Sequence, residues 1–143
     1  MQTASDTSLL WQVRHFVYTH FADTTLAPAV EVTGAHFQIS TEEAGEYYRE
    51  LHERHALFLE RDTLMIRMAN PFSAISTNFR VHAKGKTYFA NCAWDMLGIP
   101  AALHCALPCM RCVGLHIWQR FPYFPPRNPA EKFAQYLSVF LLP

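Results

Sequence analysis

The sequence predicts an α+β protein, because helix-like segments come first and strand-like segments with one short helix follow them. Residues 8–22 carry apolar side chains at helical spacing, and a capping box places Glu43 three residues after Ser40 at the start of a further helix. Between residues 56 and 90, short apolar runs are separated by turn residues, which is typical of β-hairpins. Three helices followed by a hairpin is the winged-helix order, so we expect a winged-helix-like lobe.

Each predicted helix of this lobe has a start signal or a clear periodicity. The first covers residues 8–22, and its apolar positions repeat every three or four residues. Pro28 suits a first helical position and opens a second helix that extends to about residue 37. The third helix begins at the capping box of Ser40 and ends near Arg54.

Two hairpins are expected after the third helix. The first joins residues 56–59 to residues 64–68, and the second joins residues 79–82 to residues 86–90. We therefore divide the chain into three segments: a winged-helix-like lobe over residues 1–69, a small hairpin-and-helix core over residues 70–104, and a Cys- and Pro-rich tail over residues 105–143.

Charge and hydropathy exclude several classes of partner. The formal net charge is zero, so the chain has no general electrostatic footprint for nucleic acid or for an anionic membrane. The third helix carries five Glu residues, which phosphate would repel. No N-terminal signal pattern and no apolar run of membrane-spanning length is present, so we expect a cytoplasmic protein without a nucleic-acid or membrane partner.

A cysteine and a carboxylate lie three residues apart directly after the last predicted strand. Asn91 is a good helix N-cap, which makes Cys92 the first helical residue and puts Asp95 on the same helix face. The positive end of a helix favours thiolate over thiol, although Asp95 opposes that effect. Cys92 is therefore a candidate nucleophile or soft-metal ligand, and Asp95 a candidate proton carrier. A buried, inert cysteine beside a dipole-complementing Asp is the structural alternative.

This short helix is expected to end early. Gly98 and Pro100 interrupt the apolar run that follows Cys92, and both residue types end or kink helices.

The run from Asn70 to Leu103 resembles the alkylmercury (organomercurial) lyase family. The resemblance is carried by Asn-Pro-Phe-Ser-Ala from residue 70, Phe-Arg-Val from residue 79 and Asn-Cys-Ala-Trp-Asp-Met-Leu-Gly-Ile-Pro-Ala-Ala-Leu from residue 91. The family has a Cys-x-x-Asp element at the matching place. The resemblance thus implies that Cys92 is the mercury-binding thiol and Asp95 the catalytic proton-handling carboxylate.

The activity implied by this resemblance is mercury resistance through protonolysis of a carbon–mercury bond, giving a hydrocarbon and Hg(II). The substrate would be a small organomercurial, with no organic cofactor, and Hg(II) would leave as the product. Cytosolic thiols or a mercury-accepting protein would then take the metal. Two alternatives remain open from the residues: a non-catalytic thiol protein that binds Hg, Zn or Cu, and a winged-helix regulator.

Three further cysteines form a second candidate metal-binding feature. Cys105, Cys109 and Cys112 have a spacing that includes Cys-x2-Cys, a common half of a zinc or soft-metal site. They are metal-ligand candidates together with Cys92, although incidental thiols are the alternative. Lyases of the family use an additional downstream cysteine, and no residue here can be assigned to that role. Because nothing after about His104 resembles the family, we expect a truncated or frame-shifted tail.

Overall fold

The computed structural model describes residues 4–105, and within them an α+β fold in which four helices accompany one five-stranded antiparallel sheet. The predicted fold class is confirmed. The elements in chain order are α1 (Ala4–Thr24), α2 (Val30–Phe37), α3 (Thr41–Glu53), β1 (Phe58–Leu59), β2 (Ile66–Ala69), β3 (Phe72–Ser73), β4 (Arg80–Ala83), β5 (Lys86–Ala90) and α4 (Ala93–Ala102).

The three predicted N-terminal helices are present, with small changes at their ends. The side chains of Leu10, Val13, Val17 and Phe21 are buried along one face of α1, as the apolar spacing predicts. At the start of α3 the Ser40 Oγ accepts a hydrogen bond from the Glu43 N–H at 3.1 Å, as expected of a capping box.

The prediction that Pro28 opens α2 is wrong by two residues. The helix begins at Val30 after an extended Ala29, and the Pro28 carbonyl instead accepts a hydrogen bond from the buried Tyr48 hydroxyl at 3.3 Å. This tertiary contact holds Pro28 outside the helix. The spacing of apolar residues within this segment gives no sign of the contact with Tyr48, which lies 20 residues further along the chain.

The sheet has the strand order β1-β2-β3-β5-β4, and all neighbouring strands are antiparallel. The strand β3 was not predicted; it contains two residues and pairs with β2 through Ala69↔Phe72. The turn between these strands contains a cis Asn70–Pro71 peptide bond. Since β2 pairs with β3, the sheet runs without a break across the predicted segment boundary at residues 69 and 70.

The C-terminal end of α1 is anchored on β5, the strand that leads to Cys92. The Tyr88 hydroxyl donates to the Ala22 carbonyl at 2.6 Å, and the Lys86 Nζ donates to the Asp23 carbonyl at 2.6 Å. Phe21 of α1 also stacks on Phe72 of β3, with ring centroids 5.5 Å apart. The helices and the sheet therefore share one core.

The prediction that Gly98 and Pro100 end the last helix early is wrong, because α4 continues through both residues to Ala102. Beyond Pro100 the helical pattern continues with a hydrogen bond from the Leu103 N–H to the Ile99 carbonyl at 3.0 Å. The helix ends at Ala102 with Leu103 as its C-cap, and His104 follows with a left-handed φ of 51°. Within the described residues, no helix is both long and apolar enough to cross a membrane.

Candidate functional site

Cys92 and Asp95 lie in contact at the junction between β5 and α4. The Cys92 Sγ donates a hydrogen bond to the Asp95 Oδ2 at 3.3 Å. Cys92 is exposed and Asp95 is half-buried, so the sulfur is accessible while the carboxylate is partly shielded. The predicted proximity of the two side chains is confirmed, and their chemical roles stay predictions.

The helix begins one residue later than predicted, so Cys92 is the N-cap of α4 rather than its first helical residue. Its backbone is extended, with φ −149° and ψ 177°, and its carbonyl accepts the Met96 N–H at 3.3 Å. A residue at this position places its side chain beside the N–H groups of the first turn. Within the described part of the chain, the thiol contacts Asp95 and makes no capping hydrogen bond.

The electrostatic setting of the site combines a helix terminus with a carboxylate. The N-terminal end of α4 carries partial positive charge, and the Asp95 carboxylate lies in its first turn beside the N-cap Cys92. A thiol proton can also pass to Asp95 across the existing hydrogen bond. The arrangement therefore supplies a soft sulfur ligand and an adjacent group that can accept and return one proton.

Asn91 does not cap α4, contrary to the prediction. Its Nδ2 donates to the Asn70 Oδ1 at 3.2 Å and lies 3.4 Å from the Phe72 carbonyl oxygen. These contacts join the end of β5 to the β2–β3 turn. Asn70 and Phe72 were not predicted to support the site, because they lie about 20 residues from Asn91 in the chain and only the fold brings them together.

Trp94, which lies between Cys92 and Asp95 in the sequence, is a large exposed hydrophobic residue. Its side chain is 72% exposed despite its size, so it contributes little to the core. It lies in the first turn of α4.

Cys105 is not brought to Cys92, because α4 lies between them. Pro100 is eight residues beyond Cys92, which corresponds to about 12 Å along a helix axis. The Cys105 N–H bonds to the Pro100 carbonyl at 2.9 Å, so Cys105 lies near that far end, packed against the core. Two sulfurs on one metal ion are only about 4–5 Å apart, since metal–sulfur bonds are about 2.3 Å long.

The other predicted ligands, Cys109 and Cys112, lie outside the described residues. Among residues 4–105, no cluster of three or more His, Cys, Asp or Glu side chains has the geometry to hold a metal ion. A groove of about 610 Å³ between α1 and α2 includes neither Cys92 nor Asp95; its lining residues include Trp11, Phe16, His36 and Phe37.

No protein-family model, curated protein or solved structure matches the chain. Function is therefore inferred from the Cys92–Asp95 contact, its surroundings and the sequence resemblance described above.

Proposed function

We propose that the protein is an alkylmercury-lyase-like enzyme that cleaves carbon–mercury bonds by protonolysis, with Cys92 and Asp95 as its catalytic residues. The observation that carries this proposal is the 3.3 Å hydrogen bond from the Cys92 Sγ to the Asp95 Oδ2. The reaction needs a soft ligand for mercury and a proton beside the carbon that leaves. The two side chains provide both within one helical turn.

In the first step, the Cys92 sulfur displaces the ligand X from an organomercurial R–Hg–X. Thiolate sulfur is soft and binds soft metal ions strongly, so an S–Hg bond forms as the Hg–X bond breaks. The thiol proton passes to Asp95, which already accepts a hydrogen bond from that sulfur. The products of this step are Cys92-bound R–Hg, protonated Asp95 and X⁻.

In the second step, Asp95 returns the proton to the carbon atom bound to mercury. The electron pair of the carbon–mercury bond becomes the new carbon–hydrogen bond, and the hydrocarbon R–H leaves. Mercury stays as Hg(II) on the Cys92 sulfur, with the ionised Asp95 carboxylate beside it. One proton enters the two-step reaction on Cys92 and leaves on the hydrocarbon, so no organic cofactor is required.

Accessibility supports this use of Cys92 over the alternative of an inert core cysteine. The Cys92 residue is exposed, so a small organomercurial and a competing thiol can both approach it. The proposal includes a cytoplasmic location, where small thiols or a mercury-accepting protein would remove Hg(II) and restore the free enzyme.

The proposal also includes a winged-helix-like N-terminal lobe. The succession of α1, α2 and α3, followed by the antiparallel pair β1 and β2, supports it. A role in binding DNA is not proposed, since the third helix carries an acidic surface. Arg54, the C-cap residue that follows this helix, is a cation that could contact phosphate, but it forms a salt bridge to Glu50 at 2.6 Å.

The test is release of hydrocarbon from an organomercurial under single-turnover conditions, measured in the headspace. We expect the parent protein to release the hydrocarbon and retain Hg(II), and Cys92→Ser to do neither. Cys105→Ser is the matched control, because it removes a thiol that lies at the far end of α4. Retention of mercury without any hydrocarbon would favour the soft-metal-binding protein instead.

A further inference from the structure

The Asn70–Pro71 turn contacts the junction between β5 and α4, where Cys92 lies. The side chain of Asn91 makes this contact. The Asn91 side chain places one nitrogen near two oxygen atoms, the Asn70 Oδ1 at 3.2 Å and the Phe72 carbonyl at 3.4 Å. The second acceptor is a backbone carbonyl, so the side chain must present its NH2 group in this direction. The residue immediately before Cys92 is thereby tied to β3, the strand next to β5, and to the turn that precedes β3.

The same turn also supports the helix that carries Asp95. A Cβ atom added to Gly98 would lie 2.9 Å from the Pro71 Cβ, closer than side-chain atoms normally approach. Glycine at this position lets α4 rest directly on Pro71. One two-residue turn thus touches the chain just before Cys92 and again within the helix that follows it.

This support matters because Cys92 lies where the chain passes from strand to helix. Cys92 is the N-cap of α4, one residue after Asn91, and Asp95 lies in the first turn of the same helix. Their spacing keeps the two residues close, and the direction of the Cys92 side chain, on which the 3.3 Å contact depends, follows from the angle between the incoming chain and the helix. The extended backbone at Cys92 has ordinary dihedral angles, so it does not select that angle by itself.

We propose that Asn91 is a positioning residue, which fixes the strand-to-helix junction on the Asn70–Pro71 turn and so aligns Cys92 with Asp95. The proposal deepens the proposed function and rests on it wherever carbon–mercury cleavage is measured. Two long, partly exposed hydrogen bonds contribute only modestly to folding stability. A displacement of about 1 Å in a reacting group, by contrast, costs about 100-fold in rate.

The first test compares Asn91→Ala with Tyr88→Phe in single-turnover cleavage of an organomercurial. Tyr88→Phe is the matched control, because it removes a side-chain hydrogen bond, to the Ala22 carbonyl at 2.6 Å, from β5, the strand that ends one residue before Asn91. We expect Asn91→Ala to slow cleavage about 10–100-fold with Hg(II) affinity within about threefold. Tyr88→Phe should cleave at the parent rate even if its melting temperature falls as much as that of Asn91→Ala. Equal rates for both variants would overturn the proposal.

The second test does not depend on turnover. Iodoacetamide alkylation of Cys92 is measured in the parent, Asp95→Asn, Asn91→Ala and the double variant, with the modified site identified by mass spectrometry. Loss of the negative charge of Asp95 should raise the alkylation rate at least threefold in the parent background, because that charge opposes formation of the thiolate. The same substitution should have an effect below about 1.5-fold in the Asn91→Ala background, because the two side chains are no longer aligned.

The two tests separate the two proposals. A parent that never releases hydrocarbon, but shows the expected loss of coupling in alkylation, would refute the lyase and support the positioning role. An active parent in which Asp95→Asn changes alkylation equally in both backgrounds would support the lyase and overturn the role of Asn91.

Discussion

Replacing Asp95 with Asn separates catalysis from structure, because the two roles predict effects of different size. The substitution keeps the shape of a half-buried side chain in the first turn of α4 but removes its charge and its capacity to carry the proton. Loss of the helix-dipole interaction costs about 0.3–1 kcal/mol of stability. Loss of a general acid costs about 10²–10⁴-fold in rate, which corresponds to about 3–5 kcal/mol in the barrier.

The assay measures single-turnover hydrocarbon release and the free energy of unfolding on the same Asp95→Asn sample. We expect a stability loss of at most about 1 kcal/mol, retained binding of Hg(II) at Cys92, and cleavage at least about 100-fold slower than in the parent. Cleavage within about threefold of the parent rate would show that Asp95 is structural, whatever happens to stability. The 3.3 Å contact between Cys92 and Asp95 would then have no part in proton transfer to the substrate.

Three other predictions concern the surroundings of the site and the core. Gly98→Ala should destabilise the fold by about 1–3 kcal/mol in chemical denaturation, since its Cβ would lie 2.9 Å from the Pro71 Cβ; no loss would contradict the close approach. Trp94→Ala should change the free energy of unfolding by less than about 0.5 kcal/mol, because the side chain is 72% exposed, and a larger loss would mean that it packs against the fold. Burial raises the pKa of Tyr48 from 10.0 to about 12, so the neutral phenol should stabilise the fold by about 2–3 kcal/mol below pH 10, and this contribution should be lost as the pH rises from about 10 to 12. Denaturation midpoints at pH 9 and pH 11 test this, and Tyr48→Phe should lose less stability between them than the parent; an equal loss would contradict it.

The helices were predictable because their signals are local. The apolar face of α1 and the capping interaction between Ser40 and Glu43 are both set by neighbours three or four residues away, and the structure contains both. The class of fold followed from the order of such segments. Where a boundary depended on a distant residue, as at Pro28 and Tyr48, the prediction was wrong.

The sheet was harder to predict because much of it is stabilised by pairing between strands. The strand β3 has two residues, too few for an alternating pattern, and it forms between its partners β2 and β5. The continuation of α4 through Pro100 has a similar cause. Both faces of this part of the helix are packed, with Ile99, Pro100 and Ala101 all buried, so tertiary contacts outweigh the missing hydrogen bond of proline.

The core of the site could be predicted, and its support could not. A Cys and an Asp three residues apart beside a helix terminus are neighbours whichever residue is the cap, so a one-residue error in the start of α4 left their proximity unchanged. Asn91 was assigned a local capping role because residue type and position suited one. Its actual partner, Asn70, is 21 residues away, and a single sequence carries no signal for that pairing.

The central claim is that the proton on the released hydrocarbon comes from the exchangeable Cys92–Asp95 pair while mercury stays on Cys92. It is tested most directly by one single-turnover reaction in D2O, in which the hydrocarbon is analysed for deuterium and the protein for bound mercury. We predict one deuterium in each hydrocarbon molecule, one Hg(II) on Cys92 per hydrocarbon released, and neither product with Cys92→Ser. Hydrocarbon release that continues unchanged in Cys92→Ser, or mercury bound at Cys92 with no hydrocarbon released, would contradict the claim.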